Sequence, residues 1–352
     1  MKLMTTPLRK LVCAVAIAGT AGVSMTSHAQ EDCPVPGNLR VVIGSTSTGG
    51  DTYQNSSIVA DHLAKKLDIN AKVDAVGAMA GFRALDRSRN GNTVMIFHDQ
   101  AYLGNLYGVK GYDNIFEKYT VGPTVAINPG NAYLVPKDSP YQNIDEVIAA
   151  AGEGEEIRVA IQPGGVSEIG FSALKNAVKL KHPGMEKNVV AVNTGSQADK
   201  NQLLFDDMAD VINGSVQANE QYTRLPEDDQ KAMRFVWLTA RNDTIKQTNE
   251  EGMGKTTRED LLQYVNPNVT VPQSESQNFT FDKEFFFLYN KDMDPKIVSC
   301  IDNALEEIYA QGDIQEQQKK SFFIPNFKPS SEAQTYLKDK RDQYATIIEN
   351  IQ

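Results

Sequence analysis

The strand, glycine loop and helix written into residues 39–67 constrain this chain more than any other stretch. Leu39, Val41, Val42 and Ile43 make an apolar, β-branched run that empties into Gly44, the pattern of a strand bounded by glycine. Ser45, Thr46, Ser47, Thr48, Gly49 and Gly50 follow, with Asp51, Thr52 and Tyr53 after them. Ile58, Val59, Leu63 and Leu67 then recur at helical spacing. Such a unit offers a place for an anion, because first-turn N–H groups lack intrahelical partners and the helix dipole adds to them. Adjacent glycines let a ligand come close to the backbone, and the hydroxyls are further donors. The alternative is a plain strand-to-helix turn with serine or threonine as N-cap, since the dinucleotide spacing is not met.

The rest of the chain repeats the unit. A strand over 71–76 runs into Gly77-Ala78-Met79-Ala80-Gly81 and a helix, and the strand 93–97 ends at His98-Asp99-Gln100. This β-α-β-α-β order predicts a parallel sheet with its loops gathered at the strand C-terminal ends. Strands over 120–127 and 132–136 are separated by Pro129-Gly130, which marks passage into a second domain. There a helix (144–151) and a strand (157–161) lead to Gln162-Pro163-Gly164-Gly165-Val166-Ser167-Glu168 and a helix over 169–180. A strand over 189–192 enters Asn193-Thr194-Gly195-Ser196-Gln197 and a helix over 198–205, and the strand 209–212 is followed by Asn213-Gly214-Ser215. Three further strand ends thus carry glycine with serine or threonine, which weighs against a plain turn.

The strand 235–239 returns toward the first domain, 285–289 is another strand, and amphipathic helices over 295–311 and 331–351 are expected on that domain's outer face. Residues 242–278 are polar and read as a decorated insertion with a short helix. The expected fold class is α/β, with two domains around a ligand cleft: residues 30–130 with 238–352, and residues 131–237.

Residues 1–29 read as a secretory leader. Lys2, Arg9 and Lys10 precede an apolar core over 11–23, and Ser27-His28-Ala29 resembles a cleavage site. No later stretch approaches the about 18 apolar residues of a membrane span, so an exported, periplasmic chain is expected. Losing the leader moves the formal net charge from −10 to −13. A protein this acidic has no general field for nucleic acid, so attraction for an anionic ligand has to be local. Cys33 and Cys300 remain; in an oxidising compartment a disulfide between them is expected, with two buried thiols as the alternative. His62, His98 and His182 stand at no metal spacing from them.

These residues resemble the substrate-binding proteins of tripartite tricarboxylate transporters, periplasmic receptors of the Bordetella uptake type. The resemblance covers nearly the whole chain after the leader. It rests on Gly49-Gly50, Gly77 to Gly81, Val121-Gly122-Pro123, Leu134-Val135-Pro136 with Ser139, Gly164-Gly165-Val166-Ser167, Thr194-Gly195-Ser196 and the helix at Pro295, in that order. It implies a two-domain Venus flytrap that closes on a small carboxylate and needs no cofactor or metal. The implied ligand contacts are Ser45 to Thr52 and Gly164 to Glu168, with Thr194 to Gln197 and Asp210 to Asn213 lining the rest. Tyr53 and Ser56-Ser57 depart from the family pattern, which has an aspartate and an alanine-arginine pair there. The implied partners are the large and small integral-membrane permease subunits, or a membrane sensor kinase that reads the closed form, with the receptor itself a monomer.

Other readings of the sequence compete with this one. Gly252-Met253-Gly254-Lys255-Thr256 imitates the end of a phosphate loop, but Asn249 stands where its first glycine is needed. A hydrolase would use Ser167 with His98 and Asp99; the nucleophile elbow is incomplete, as Ile169 replaces its second glycine. His98 is a strand-end residue within reach of a ligand, and Arg83 and Arg241 are candidate anchors for a second carboxylate. Tyr53, Phe97 and Tyr102 either stack on a ligand ring or fill the core. In an interaction protein, residues 242–278 would be the docking surface.

Overall fold

Alternation along the strands decides the layering of residues 33–351, which a computed structural model describes. The expected leader lies outside the described residues. The strands are β1 (Asn38–Ile43), β2 (Asn70–Ala75), β3 (Thr93–His98), β4 (Tyr119–Asn128), β5 (Ala132–Pro136), β6 (Ile157–Ile161), β7 (Val189–Asn193), β8 (Val211–Gly214), β9 (Met233–Leu238), β10 (Lys283–Asn290) and β11 (Ile324–Lys328). One sheet has the order β11-β4-β10-β3-β1-β2 and the other β7-β6-β8-β5-β9. β1 is parallel to β2 and β3, with β10 antiparallel beside β3; β6 is parallel to β7 and β8, with β5 antiparallel beside β8.

Successive side chains point to opposite faces. Phe285, Phe287 and Tyr289 of β10, with Val94 and Ile96 of β3, lie under Val59 and Leu63 of the helix Asp51–Leu67 and Ile301 and Leu305 of the helix Pro295–Gln311. Phe286, Leu288, Met95 and Phe97 face the other way, into a core that continues through Phe281, Leu337 and Tyr344 to Tyr133, Val159 and Trp237 of the second sheet. Both faces are covered, so these strands read as continuous apolar runs.

Two expectations are corrected here. The helix Ser330–Ile351 does not simply cover the first sheet: Leu337, Tyr344, Ile347 and Ile348 join the shared core, and Lys179 Nζ donates to the Asn350 carbonyl at 2.5 Å. Its apolar stripe specifies a buried face but not the partner. Residues 242–278 are not a surface decoration either. Ile245, Met253, Leu261 and Val265 are buried with Leu134, Ile212 and Phe235 on the second sheet's outer face; their irregular spacing of 8, 8 and 4 positions leaves no period to read. The sequence reading also passed over the helices Gln100–Leu106, Val216–Thr223 and Asp313–Lys320 and the strand β11.

The chain crosses between sheets after β4 and again after β9. Gly130 has φ +54°, and a Cβ on it would lie 2.4 Å from the Ala240 nitrogen, so the crossing segments touch only because residue 130 is glycine. Asn131 N–H donates to Thr239 Oγ1 (2.8 Å), Thr239 N–H to the Asn131 carbonyl (2.9 Å) and Thr239 Oγ1 to the Phe281 carbonyl (2.9 Å). Cys33 and Cys300 form the expected disulfide, with Cα atoms 5.6 Å apart.

Candidate functional site

The C-terminal ends of β1 and β3 and the start of antiparallel β10 form one rim; the ends of β6, β7 and β8 form the other. The 162–168 turn bridges them. Asn131 Nδ2 donates to the Val166 carbonyl at 2.6 Å. A Cβ on Gly164 would lie 2.3 Å from Val109, and one on Gly165 2.9 Å from Gln100. These two glycines are what allow the first sheet's residues to approach that turn.

On the first rim the hydroxyl loop folds onto itself. Ser47 N–H donates to Ser45 Oγ (3.0 Å) and Gly49 N–H to Ser47 Oγ (3.3 Å), while Thr46 and Thr48 are exposed. Asp51 takes Thr52 N–H (2.7 Å) on one oxygen and Asn128 Nδ2 (2.6 Å) and Lys283 Nζ on the other. Burial pulls the Asp51 pKa up, but the adjacent Lys283 ammonium outweighs it and holds the carboxyl below the usual range. Tyr53 is half-buried in the first turn of the helix. Burial, helped by the Lys283 charge, lowers His98 to about 3. Its Nδ1 accepts the Gln100 N–H at 3.3 Å, so the neutral ring carries its proton on Nε2.

On the second rim Ser167 Oγ donates to Asn213 Oδ1 (2.6 Å) and accepts the Gln162 N–H (3.0 Å). Asn213 Nδ2 donates to the Ser167 carbonyl (2.9 Å) and to Tyr133 Oη (3.1 Å). Lys200, from the helix Gln197–Phe205, reaches into this group: its Nζ is 3.1 Å from Asn213 Oδ1 and 3.5 Å from Ser167 Oγ. It is only 2% exposed. Burial, with the Lys283 charge added, lowers its pKa to about 7. Burial raises the Glu168 carboxyl against the pull of the Gly164 N–H.

Thr194, Gly195, Ser196 and Gln197 hold their turn together and tie it to the end of β6. Thr194 Oγ1 donates to the Ile161 carbonyl (3.0 Å), the Gly195 carbonyl accepts Gln162 Nε2 (3.0 Å), Ser196 Oγ caps its helix through Asp199 N–H (3.1 Å), and Gln197 Nε2 donates to Asn201 (2.8 Å). The helices Asp51–Leu67 and Val166–Lys181 differ from that one. They start on Gly50 and Gly165 with no side-chain cap, as do the helices that follow Gly77 and Gly312, whereas Asn143, Ser196, Ser215 and Thr257 cap theirs.

No family model matches the chain, and no curated protein sequence does. Solved structures do. A TctC solute-binding protein from Polaromonas is 14% identical and superposes with a TM-score of 0.59, covering 89% of this chain and 98% of its own. MatC from Rhodopseudomonas palustris, solved with malate, is 13% identical with a TM-score of 0.64 over 89% and 99%. A second R. palustris protein, solved with adipate, is 13% identical with a TM-score of 0.67 over 90% and 98%. The chain has the periplasmic-binding-protein fold. The expected two-domain α/β flytrap is thus the observed architecture.

Within that fold the competing motifs resolve into structural roles. Asp99 is engaged by Tyr102 Oη, Lys340 Nζ (2.7 Å) and Glu284 N–H (2.5 Å), so it does not orient His98 toward Ser167. The Gly252-Met253-Gly254-Lys255-Thr256 turn already holds an anion: Glu220 accepts Lys255 N–H at 3.0 Å and Thr256 Oγ1 at 3.1 Å. Arg241 is paired with Asp282 at 2.7 Å. Arg83 lines a cavity of about 630 Å³ with Arg40, Arg87 and Thr93, at the opposite strand ends from the rims. Phe97 and Tyr102 are core residues. Lys200, Lys283, Asn128 and Asn131 were not anticipated. The one available signal was a lysine at a helical step from Leu203 and Leu204, where an apolar residue is expected.

Proposed function

We propose that the protein is a periplasmic receptor that captures a small organic acid between its two lobes, residues 30–130 with 238–352 and residues 131–237, and does no chemistry on it. The observation that carries this reading is the pair of helix starts, Gly50 and Gly165, that face the two rims without side-chain caps. Asp51 already takes the Thr52 N–H; a carboxylate satisfies the remaining first-turn N–H groups. Contact with both lobes at once then favours the closed state. Ser45 to Thr52, His98, Gly164 to Glu168 and Asn213 supply the lining, and Thr194 to Gln197 shape it.

The malate- and adipate-bound neighbours support a carboxylate as ligand. Among the described residues no helix is long and apolar enough to cross a membrane. The proposed partners are the large and small permease subunits of a tripartite tricarboxylate transporter, reading a monomeric closed receptor.

The test is native mass spectrometry of protein from its own periplasm, followed by a thermal-shift screen of mono-, di- and tricarboxylic and aromatic acids. A shift of several degrees with one class, reduced by Ser167→Ala, is expected. Saturating acids without a shift, and no co-purified small molecule, would overturn the reading.

A further inference from the structure

Among the described residues two lysines are buried, Lys200 and Lys283. Lys283 is paired with Asp51. Lys200 has, among the described residues, only neutral partners, the amide oxygen of Asn213 and the hydroxyl of Ser167. A buried cation without a counter-ion is expensive unless something else supplies the charge. If holding Asn213 were the only task, a neutral amide would do it without that penalty.

The position of Lys200 says what is missing. Its side chain ends at Ser167, in the first turn of the helix that Gly165 leaves uncapped, and at Asn213, the end of β8. Lys283 begins β10 at the facing rim, close enough for its charge to act on Lys200. The groups that act on the ammonium are Ser167 and Asn213 from its own lobe and Lys283 from the other; Asp51, the acid beside Lys283, is committed to it.

We infer that Lys200 is the ionic anchor of the receptor site: a carboxylate of the bound acid takes the counter-ion place that no side chain fills, held by Lys200 Nζ together with Ser167 and the N–H groups after Gly165. The inference rests on the carboxylate-receptor reading and adds to it the residue that recognises the charge. It also makes binding proton-linked. The free protein holds Lys200 near neutrality, with a pKa of about 7, and a carboxylate alongside raises it, so binding at pH 8 takes up a proton.

Isothermal titration of the full mature chain with acetate, succinate, adipate, citrate and benzoate, at pH 8 in two buffers of different ionisation heat, tests this. For the tightest binder, wild type is expected to take up a proton, approaching one per ligand, and Lys200→Met to bind at least 100-fold more weakly while melting no lower than wild type. If wild type binds none of the five acids, the receptor reading itself fails. If wild type binds and Lys200→Met binds equally well, the inference about Lys200 falls and the receptor reading stands. Binding without proton uptake overturns the proton linkage. Should Lys200→Met not fold, Lys200→Gln, which keeps a donor for Asn213 without the charge, is compared in its place.

Discussion

The two rims treat the same chemical group in opposite ways. On the first sheet's rim Lys283 is buried beside Asp51, with Asn128 and Thr52 completing that carboxylate's bonds. On the second rim Lys200 is buried as deeply, with an amide and a hydroxyl for company. The first arrangement is self-sufficient and holds the rim's shape. The second is one negative charge short, which stability alone does not favour. A third region repeats the lesson from the other side: the glycine turn at 252–256 has the donors of an anion site, but the chain's own Glu220 fills it. Donor-rich loops therefore do not by themselves distinguish a ligand site from scaffold; the proposed site rests on the missing counter-charge instead.

Breaking the self-sufficient rim has the largest expected effect. Asp51→Asn leaves Lys283 buried without its acid and lowers stability by about 3–5 kcal/mol, measured by urea unfolding at pH 7; a loss under about 1 kcal/mol would mean that the pair is solvated. On the other rim the sign reverses. Lys200 has its pKa lowered in the folded state, so between about 7 and the unfolded value the unfolded chain binds a proton that the folded chain does not. Stability of the ligand-free protein then rises with pH above 7, by up to about 1.4 kcal/mol per pH unit. The penalty is fully present below the folded pKa and gone above the unfolded one. Lys200→Met should flatten that rise; an unchanged slope would show that Lys200 is already solvated.

Smaller effects sharpen the contrast with the filled turn. Glu220→Gln should lower stability by about 1–2 kcal/mol and leave acid binding unchanged in calorimetry, since that turn lies outside the rims; lost binding would show that the turns are coupled. Ser167→Ala removes the hydroxyl proposed to hold the acid, along with its bonds to Asn213 and Gln162, and should cost about 1 kcal/mol of affinity. An affinity unchanged within error would remove Ser167 from the lining.

Much of the architecture was legible because it repeats. Apolar runs such as Val41 to Ile43 and Phe285 to Leu288, each ended by a glycine or a polar break, placed strands where they occur. The helix Asp313–Lys320 escaped notice because only Ile314 and Gln318 are buried in it, too few to make a stripe. In the candidate site the glycines were legible, and the use of the hydroxyls was not. Ser45, Ser47 and Ser196 look alike in sequence to Ser167, yet they bond within their own turns, while Thr194 bonds across to the Ile161 carbonyl and Ser167 across to Asn213.

By itself the sequence determined the alternation of strand and helix, the glycine-bearing strand ends, the crossing at Gly130 and the Cys33–Cys300 pairing. These depend on local backbone preference, on period, or on there being one partner to choose. Only the tertiary structure decided which lysine is neutralised, where the helix Ser330–Ile351 docks and that the glycine turn at 252–256 is filled by Glu220. Charge pairing is a matter of distances between residues far apart in the chain: Asp51 and Lys283 are separated by 232 positions, and nothing in the spacing of either records the other.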